Sequence, residues 1–569
     1  MRIAEKLVTS SSFFDCIDPA AVTDNMLTLE HFSSGQTVFR QGDEGGSAYV
    51  VLSGVVGLYE EIEPESQILF LKASQGRLFG EYAMLCGEPR SATAVAMVET
   101  TLISIDKAAF DRLLSLSPDL CNRVICTLAK QASRGRTTKR SNRVSCTLVR
   151  TALASTQSVG FDLICDVLSR FDELDFVDKR GLIWEENEQI GDIVRSLESD
   201  RSVAFIVDQK TSISATALRL IDASVLVVDG NEFSTELPIG PGEVLDLVRV
   251  WAPDQERPVP LTSHPNSLTI RHIYNIRSNN TADACRVARC ILGIPNTLVL
   301  GGGGAKGFAH VGAMKAMTEM NMADIDLVYG VSIGAFIGML YCFELPWHAI
   351  CEYMKSTFIK GVPYSLSPSV HSLLRYDKGL AQLEADFGHF SVHDTWIPFR
   401  PVSVNISSNR LAFWSDGPLL KRVIASMSLP GIVPPVQMDD GSFHVDGGIL
   451  DNLPISEARR STSGFIIAIS LDHGEGQRVI PTIADVKNSL MPWLISAGLA
   501  NRSMPPLTDT IIYSMLCAAR QKSDNVEHLA DVMLKPDLTA VGLLDWSCCD
   551  ATLEAGYREA KQRLDPVRS

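Results

Sequence analysis

Short apolar runs broken by glycine-centred turns fill residues 1 to about 135. Examples are GQTVFRQGDEGG (35–46), AYVVLSGVVGLYE (48–60) and ILFLKA (68–73). Their period-2 alternation with regular turns predicts an antiparallel roll or barrel. A helical pattern follows in AAFDRLLSLSPDLCNRVICTLAKQASRG (108–135), with apolar residues three and four apart.

Between 136 and 294 the pattern is weaker. SVAFIVD (202–208) and ASVLVVD (223–229) look like buried strands, and WAPDQERPVPLTSHPNS (251–267) reads as a surface loop. A small α/β domain of unknown role is expected there. From Thr297 the pattern becomes strand, glycine loop, helix, repeated: TLVL (297–300) precedes GGGGAKG, and LVYG (327–330) precedes an apolar helix. GFIIAISL (464–471) adds another buried strand. This order predicts a mostly parallel sheet with helices on both faces over 295–569, its core at 297–460. The expected fold class is therefore α/β multi-domain: an N-terminal β-roll with helices, a small α/β middle domain and a C-terminal three-layer α/β domain.

Bulk properties narrow the function. A formal net charge of −16 over 569 residues argues against a nucleic-acid partner, which would call for a basic face. One local exception, Lys130 to Arg150, holds seven basic and no acidic residues, and reads as a solvated linker or a contact for anionic lipid headgroups. Thirteen cysteines without a C-x-x-C pair read as reduced thiols in a cytoplasmic setting. No signal-peptide pattern opens the chain. The longest apolar run, Val328 to Phe343, is interrupted by Gly330, Gly334 and Gly338 and is too short to span a membrane. A lipid substrate would have to be met at a membrane surface or micelle from the water side.

Three motifs carry chemistry. Gly330-Val331-Ser332-Ile333-Gly334 is G-x-S-x-G between strand and helix, a turn that presents a serine hydroxyl. Gly302-Gly303-Gly304-Ala305-Lys306-Gly307 is a second strand-to-helix loop, whose backbone amides could hold either a nucleotide phosphate or the oxyanion of acyl transfer. Asp446-Gly447-Gly448 follows the β-like SFHV (442–445) and exposes a carboxylate in a turn. Together they supply a nucleophile, oxyanion donors and a base. A Ser-His-Asp triad is the rival, with His310 and His444 the histidines close to these motifs. No metal site and no catalytic cofactor are called for.

GGGAKG, GVSIG and DGG in this order resemble the patatin-like phospholipases, as do SDGPLLKRVIASMSLPGIVPPV (415–436) and DNLPI (451–455). The resemblance covers about 295–565. It implies a Ser332–Asp446 dyad without histidine and an oxyanion hole from the backbone of Gly302, Gly303 and Gly304. It also implies hydrolysis of acyl esters of phospholipids or lysophospholipids. Lys306 stands where arginine is more usual, keeping the charge but losing the planar fork.

Upstream, Phe79-Gly80-Glu81-Tyr82-Ala83 running on to Arg90-Ser91-Ala92 resembles the phosphate cassette of cyclic nucleotide-binding domains, and residues 1–135 are assigned to one. That likeness implies Glu81 on the ribose and Arg90 on the phosphate, with Gly80, Ser91 and Ala92 lining the pocket and cyclic AMP or cyclic GMP as regulatory ligand. The whole order is similar to a short bacterial-type member of the neuropathy target esterase group, with a homodimer as candidate assembly. Two other classes stay in view: a nucleotide-regulated binding protein with an inactive hydrolase fold, and a dinucleotide-dependent oxidoreductase built on the glycine loop, which would leave Ser332 and Asp446 without a role.

Overall fold

The computed structural model of the protein describes residues 2–23, 26–63, 66–125, 146–151, 159–171, 174–180, 182–198, 202–207, 211–231, 243–261, 269–322, 324–360, 364–366, 374–376, 381–472, 522, 525–543 and 545–568. The basic residues from Lys130 to Arg143 lie outside the described residues. No helix among the described residues is long and apolar enough to cross a membrane. The chain divides into two compact units, 1–150 with 171–224 and 238–243, and 151–170 with 225–237 and 244–569.

In the first unit, two four-stranded antiparallel sheets form the roll. One orders Thr28–Phe32, Thr100–Asp106, Ser47–Ser53 and Leu78–Phe79; the other orders Thr37–Phe39, Thr93–Ala96, Val56–Glu63 and Ser66–Ala73. The period-2 alternation has a physical counterpart. Ile103 packs with Val50, Phe14 and Phe110 on one side, while its neighbour Leu102 packs with Val51, Val56 and Phe79 on the other. The helix Lys107–Leu116 starts where Asp106 accepts the Ala109 amide at 2.7 Å, and it buries Ala109, Phe110 and Leu113.

Described residues of the segment 136–294 fall in both units. Val55, Met97 and Val98 of the roll share a core with Cys146, Leu148, Trp184 and Phe205. The parallel strands Val244–Trp251 and Thr269–Arg277 belong instead to the second unit. There the fully buried Arg249 donates to the fully buried Asp394 at 2.7 Å, and Asn275 donates to the carbonyls of His393 and Thr395 at 2.9 Å.

The second unit is built on an eight-stranded sheet. Its strands are β1 (Thr297–Leu300), β2 (Leu327–Val331), β3 (Phe399–Asn405), β4 (Arg410–Phe413), β5 (Val436–Gln437), β6 (Phe443–Asp446), β7 (Ile466–Ile469) and β8 (Val532–Leu534). Their order is β5-β6-β3-β2-β1-β7-β8, with β4 pairing β3. The run β3-β2-β1-β7-β8 is parallel, whereas β6 and β4 run antiparallel to β3. Alternation along β1 feeds two cores. Leu298 and Leu300 pack with helices α1 (Phe308–Glu319) and α2 (Ile333–Cys342), and Val299 packs with Tyr329, Leu453 and Ile455 on the opposite face. Helices therefore cover both faces, and the connections leaving β1 and β2 open at the same sheet edge, where parallel α/β sheets carry their sites.

Candidate active site

β2 is buried throughout, and its chain turns at Ser332 into α2. Ser332 holds φ +55 and ψ −124, a conformation that a non-glycine residue keeps only when its surroundings over-determine it. The flanking glycines make the turn sterically feasible. A Cβ at Gly330 would stand 2.6 Å from the Gly334 carbonyl oxygen, and one at Gly334 would stand 2.8 Å from that of Gly301.

The glycine loop lies directly against this turn, since a Cβ at Gly302 would come within 3.0 Å of Ser332 Cβ. The Gly302 amide donates to the Asn452 carbonyl at 3.3 Å. Gly302 is therefore not a free donor, and the three amides expected from sequence reduce to two. Among the described residues, the amides of Gly303 and Gly304 have no acceptor. At Gly303 the packing is tight, with Leu471 Cβ 2.7 Å from where a Cβ would stand. Lys306 and Gly307 belong to the single turn Gly304–Gly307 that leads into α1.

Asp446 ends β6 and is 1% exposed. Its Oδ1 accepts the Gly448 amide at 2.8 Å, which gives the second glycine of the motif its role, and its own amide donates to the Ser428 carbonyl at 2.9 Å. Oδ2 is buried without a hydrogen-bond partner among the described residues. Burial raises the carboxyl pKa from 3.8 to about 7, and the nearby Ser332 hydroxyl and the Gly448 amide oppose that rise. Gly447 is required by close approach, because a Cβ there would sit 2.5 Å from the Val402 carbonyl.

Both histidines are held elsewhere. His310 is fully buried on α1, with Nε2 2.8 Å from the Gly301 carbonyl oxygen, and burial lowers its pKa to about 4. His444 places Nδ1 2.9 Å from Ser403 Oγ and Nε2 3.1 Å from Ser442 Oγ, and burial lowers its pKa too. Neither ring hydrogen-bonds Ser332 or Asp446.

Two polar residues that the sequence reading left without a role stand beside the motifs. Asn452 donates from Nδ2 to the Gly302 carbonyl at 3.2 Å and to Asp472 at 2.9 Å. Ser426 receives the Ser332 amide at 3.0 Å. Both fall inside segments already noted for their resemblance, DNLPI and SDGPLLKRVIASMSLPGIVPPV, but neither has a spacing that announces a partner.

In the first unit, Gly80 (φ +76) opens the helix Glu81–Cys86. Glu81, Arg90 and Ala92 are buried and Ser91 is exposed. Arg90 donates from Nη1 to the Gly80 carbonyl at 2.6 Å and from Nη2 to the Ser47 carbonyl at 2.7 Å. Its guanidinium lies 4.1 Å from the Phe39 ring centre, and burial lowers its pKa. Its Nε is buried without a hydrogen-bond partner among the described residues.

Comparison with known proteins matches two stretches of the chain to family models. The patatin-like phospholipase model matches residues 298–459, a span that holds Ser332, Asp446 and the glycine loop. The chain carries a patatin-like phospholipase domain. Residues 29–117 match the cyclic nucleotide-binding domain model. Lysophospholipase nte1 of Neurospora crassa is 24% identical over 653 residues, covering 96% of this chain and 42% of that protein. Patatin-like phospholipase domain-containing protein 7 of Rattus norvegicus is 30% identical over 50% of this chain and 22% of its own length. The chain thus spans less than half the length of these curated relatives, which agree with the neuropathy target esterase group named from the motifs. Among solved structures, the Thermus thermophilus Catabolite Activator Protein is 27% identical over 22% of this chain and 60% of that one, with a TM-score of 0.21.

Proposed function

We propose that this chain is a serine esterase that hydrolyses acyl esters of phospholipids or lysophospholipids through a Ser332–Asp446 dyad. One observation carries the reading: a fully buried carboxylate, with one oxygen unpartnered among the described residues, neighbours a serine held in a strained strand-to-helix turn. Asp446 Oδ2 accepts the Ser332 proton as Oγ bonds to the acyl carbonyl carbon. The resulting oxyanion receives the amides of Gly303 and Gly304, which have no acceptor among the described residues. Collapse breaks the ester bond, and the departing alcohol takes the proton back from Asp446. Water, deprotonated by the same carboxylate, then bonds to the acyl carbon, the acyl–Oγ bond breaks, Ser332 Oγ takes the proton back from Asp446, and the fatty acid leaves. Acyl transfer through a serine nucleophile and a carboxylate base proceeds with protein groups and water, and the lysophospholipase name of the matched relatives supports the substrate class.

The first unit is proposed to bind cyclic AMP or cyclic GMP and to alter esterase turnover. The residues fit such a ligand: Arg90 Nε is a buried donor without a partner among the described residues, and Glu81 lies buried in the same cassette. Glu81 would accept from the ribose hydroxyl, and Arg90 would meet the phosphate.

A fluorophosphonate probe tests the central reading. Wild-type protein is expected to be labelled at Ser332, and Ser332→Ala to lose both labelling and lysophospholipid hydrolysis while keeping its circular dichroism spectrum. Labelling that persists in Ser332→Ala would remove Ser332 from the role.

A further inference from the structure

The parallel ladder between β2 and β3 pairs Val328 with Phe399 and Val331 with Val402. In such a ladder every second amide of β2 points to β3, and the Val328 amide donates to the Pro398 carbonyl at 3.0 Å. Two steps of two residues carry this direction to Ser332, whose amide would next meet the Val402 carbonyl. It does not, because the chain turns away there at φ +55. A hydroxyl fills the gap. Ser426, the last residue of α3 (Leu419–Ser426) and fully buried, accepts the Ser332 amide at 3.0 Å and donates to the Val402 carbonyl at 2.5 Å. Two residues on, the Ser428 carbonyl accepts the Asp446 amide at 2.9 Å, and the Ser428 hydroxyl closes onto the Ile424 carbonyl at 2.8 Å. One short stretch of chain therefore holds the backbone of both Ser332 and Asp446.

We propose that Ser426 is a positioning residue for the esterase reaction: its hydroxyl replaces the missing ladder bond between Ser332 and Val402, and so fixes the nucleophile turn beside the Asp446 strand. The inference rests on the reading of Ser332 as nucleophile. Without the hydroxyl, the Ser332 amide and the Val402 carbonyl both stay buried and unpaired, and the strained turn loses one of the contacts that over-determine it. Ser426 is fully buried and bonds backbone atoms alone, so its removal acts on the chemical step and not on substrate affinity.

The test compares wild type, Ser426→Ala, Ser426→Thr and Ser426→Cys in the full chain, using lysophosphatidylcholine micelles and a fluorophosphonate. Ser426→Ala is expected to lower kcat by about 10²-fold, the scale of a small misplacement of a reacting group, with KM unchanged. Fluorophosphonate labelling of Ser332 should slow in parallel, and Ser426→Thr should recover most of the loss. A folded Ser426→Ala with wild-type kcat, or one changed in KM alone, overturns the proposal. Should Ser426→Ala not fold, the other two variants decide. Cysteine is nearer to serine in size but a weak donor and acceptor, whereas threonine keeps the hydroxyl and adds a methyl. Threonine faster than cysteine supports the bridge, and the reverse order overturns it. Wild-type protein that fails to label at Ser332 would instead sink the nucleophile reading itself, an outcome distinct from equal labelling of wild type and Ser426→Ala.

Discussion

Replacing Asp446 with asparagine separates what the buried carboxylate does for catalysis from what it does to stability. Its pKa rises from 3.8 to about 7 because the folded chain removes it from water. Between these values the unfolded chain is ionised while the folded chain keeps the proton. The folded state thus binds more protons, and stability falls as pH rises through the window. At about 1.4 kcal/mol per pKa unit, three units amount to about 4 kcal/mol against the folded state above pH 7, and almost nothing near pH 4. Asparagine carries no charge at any of these pH values, keeps an oxygen for the Gly448 amide, and removes the slope. From pH 5 to pH 8 the stability of Asp446→Asn relative to wild type should therefore grow by about 3 kcal/mol, read as a widening gap in urea midpoint. Over the same range wild-type kcat/KM should rise through an apparent pKa near 7, as the base loses its proton. Turnover of Asp446→Asn should fall by about two to four orders of magnitude, and His444→Ala by far less. A wild-type kcat/KM that is flat from pH 5 to pH 8, or a urea gap that narrows toward pH 8, would refute the assignment of a desolvated base.

Two further outcomes are expected. Gly303→Val drives a side chain into Leu471 and displaces a free amide, so kcat should drop by about 10²- to 10³-fold; near-normal turnover would remove this loop from oxyanion binding. Arg90→Ala should abolish calorimetric binding of cyclic AMP and cyclic GMP by the full chain, and wild-type protein that gives no saturation with either nucleotide would reduce the first unit to a structural role.

How much of this was legible in the residues depends on what each residue had to bury. The strands Thr297–Leu300, Leu327–Val331 and Ile466–Ile469 are buried at every described position, and continuous apolar runs announced them. Phe399–Asn405, central to the site, went unread because FRPVSVN carries an arginine and a proline. Both are accommodated by neighbours that sequence does not reveal: Arg400 donates to the Phe399 carbonyl at 2.8 Å, and Pro401 receives the Trp414 amide on its carbonyl at 3.1 Å. Arg249 and Asn275 hid two more strands in the same way, as their polar groups find partners near residue 394. At the site the three motifs were visible because glycine is demanded wherever backbone meets backbone closely. The Gly302 amide was misread because its acceptor, the Asn452 carbonyl, lies 150 residues away and involves no side-chain signature.

On the dyad reading, one aspartate takes the place of a histidine and its orienting carboxylate. A general base works best with a pKa near the working pH, which an ordinary aspartate misses by about three units. Desolvation closes that gap at Asp446, but desolvation also disfavours the ionised form that must act, so the group has to be held by contacts that do not stabilise its charge too strongly. The observed set has that character. Oδ1 takes a single backbone amide, Oδ2 is left without a partner among the described residues, and no cation opposes the rise in pKa. An arginine or lysine beside Oδ2 would restore a low pKa and leave the serine without a competent base. The remaining positional control falls on backbone bonds, from Ser428 to the Asp446 amide and from Ser426 to the Ser332 amide. Those bonds fix geometry without adding charge, and this is the physical reason the turn can carry strain at Ser332 while the carboxylate stays poised.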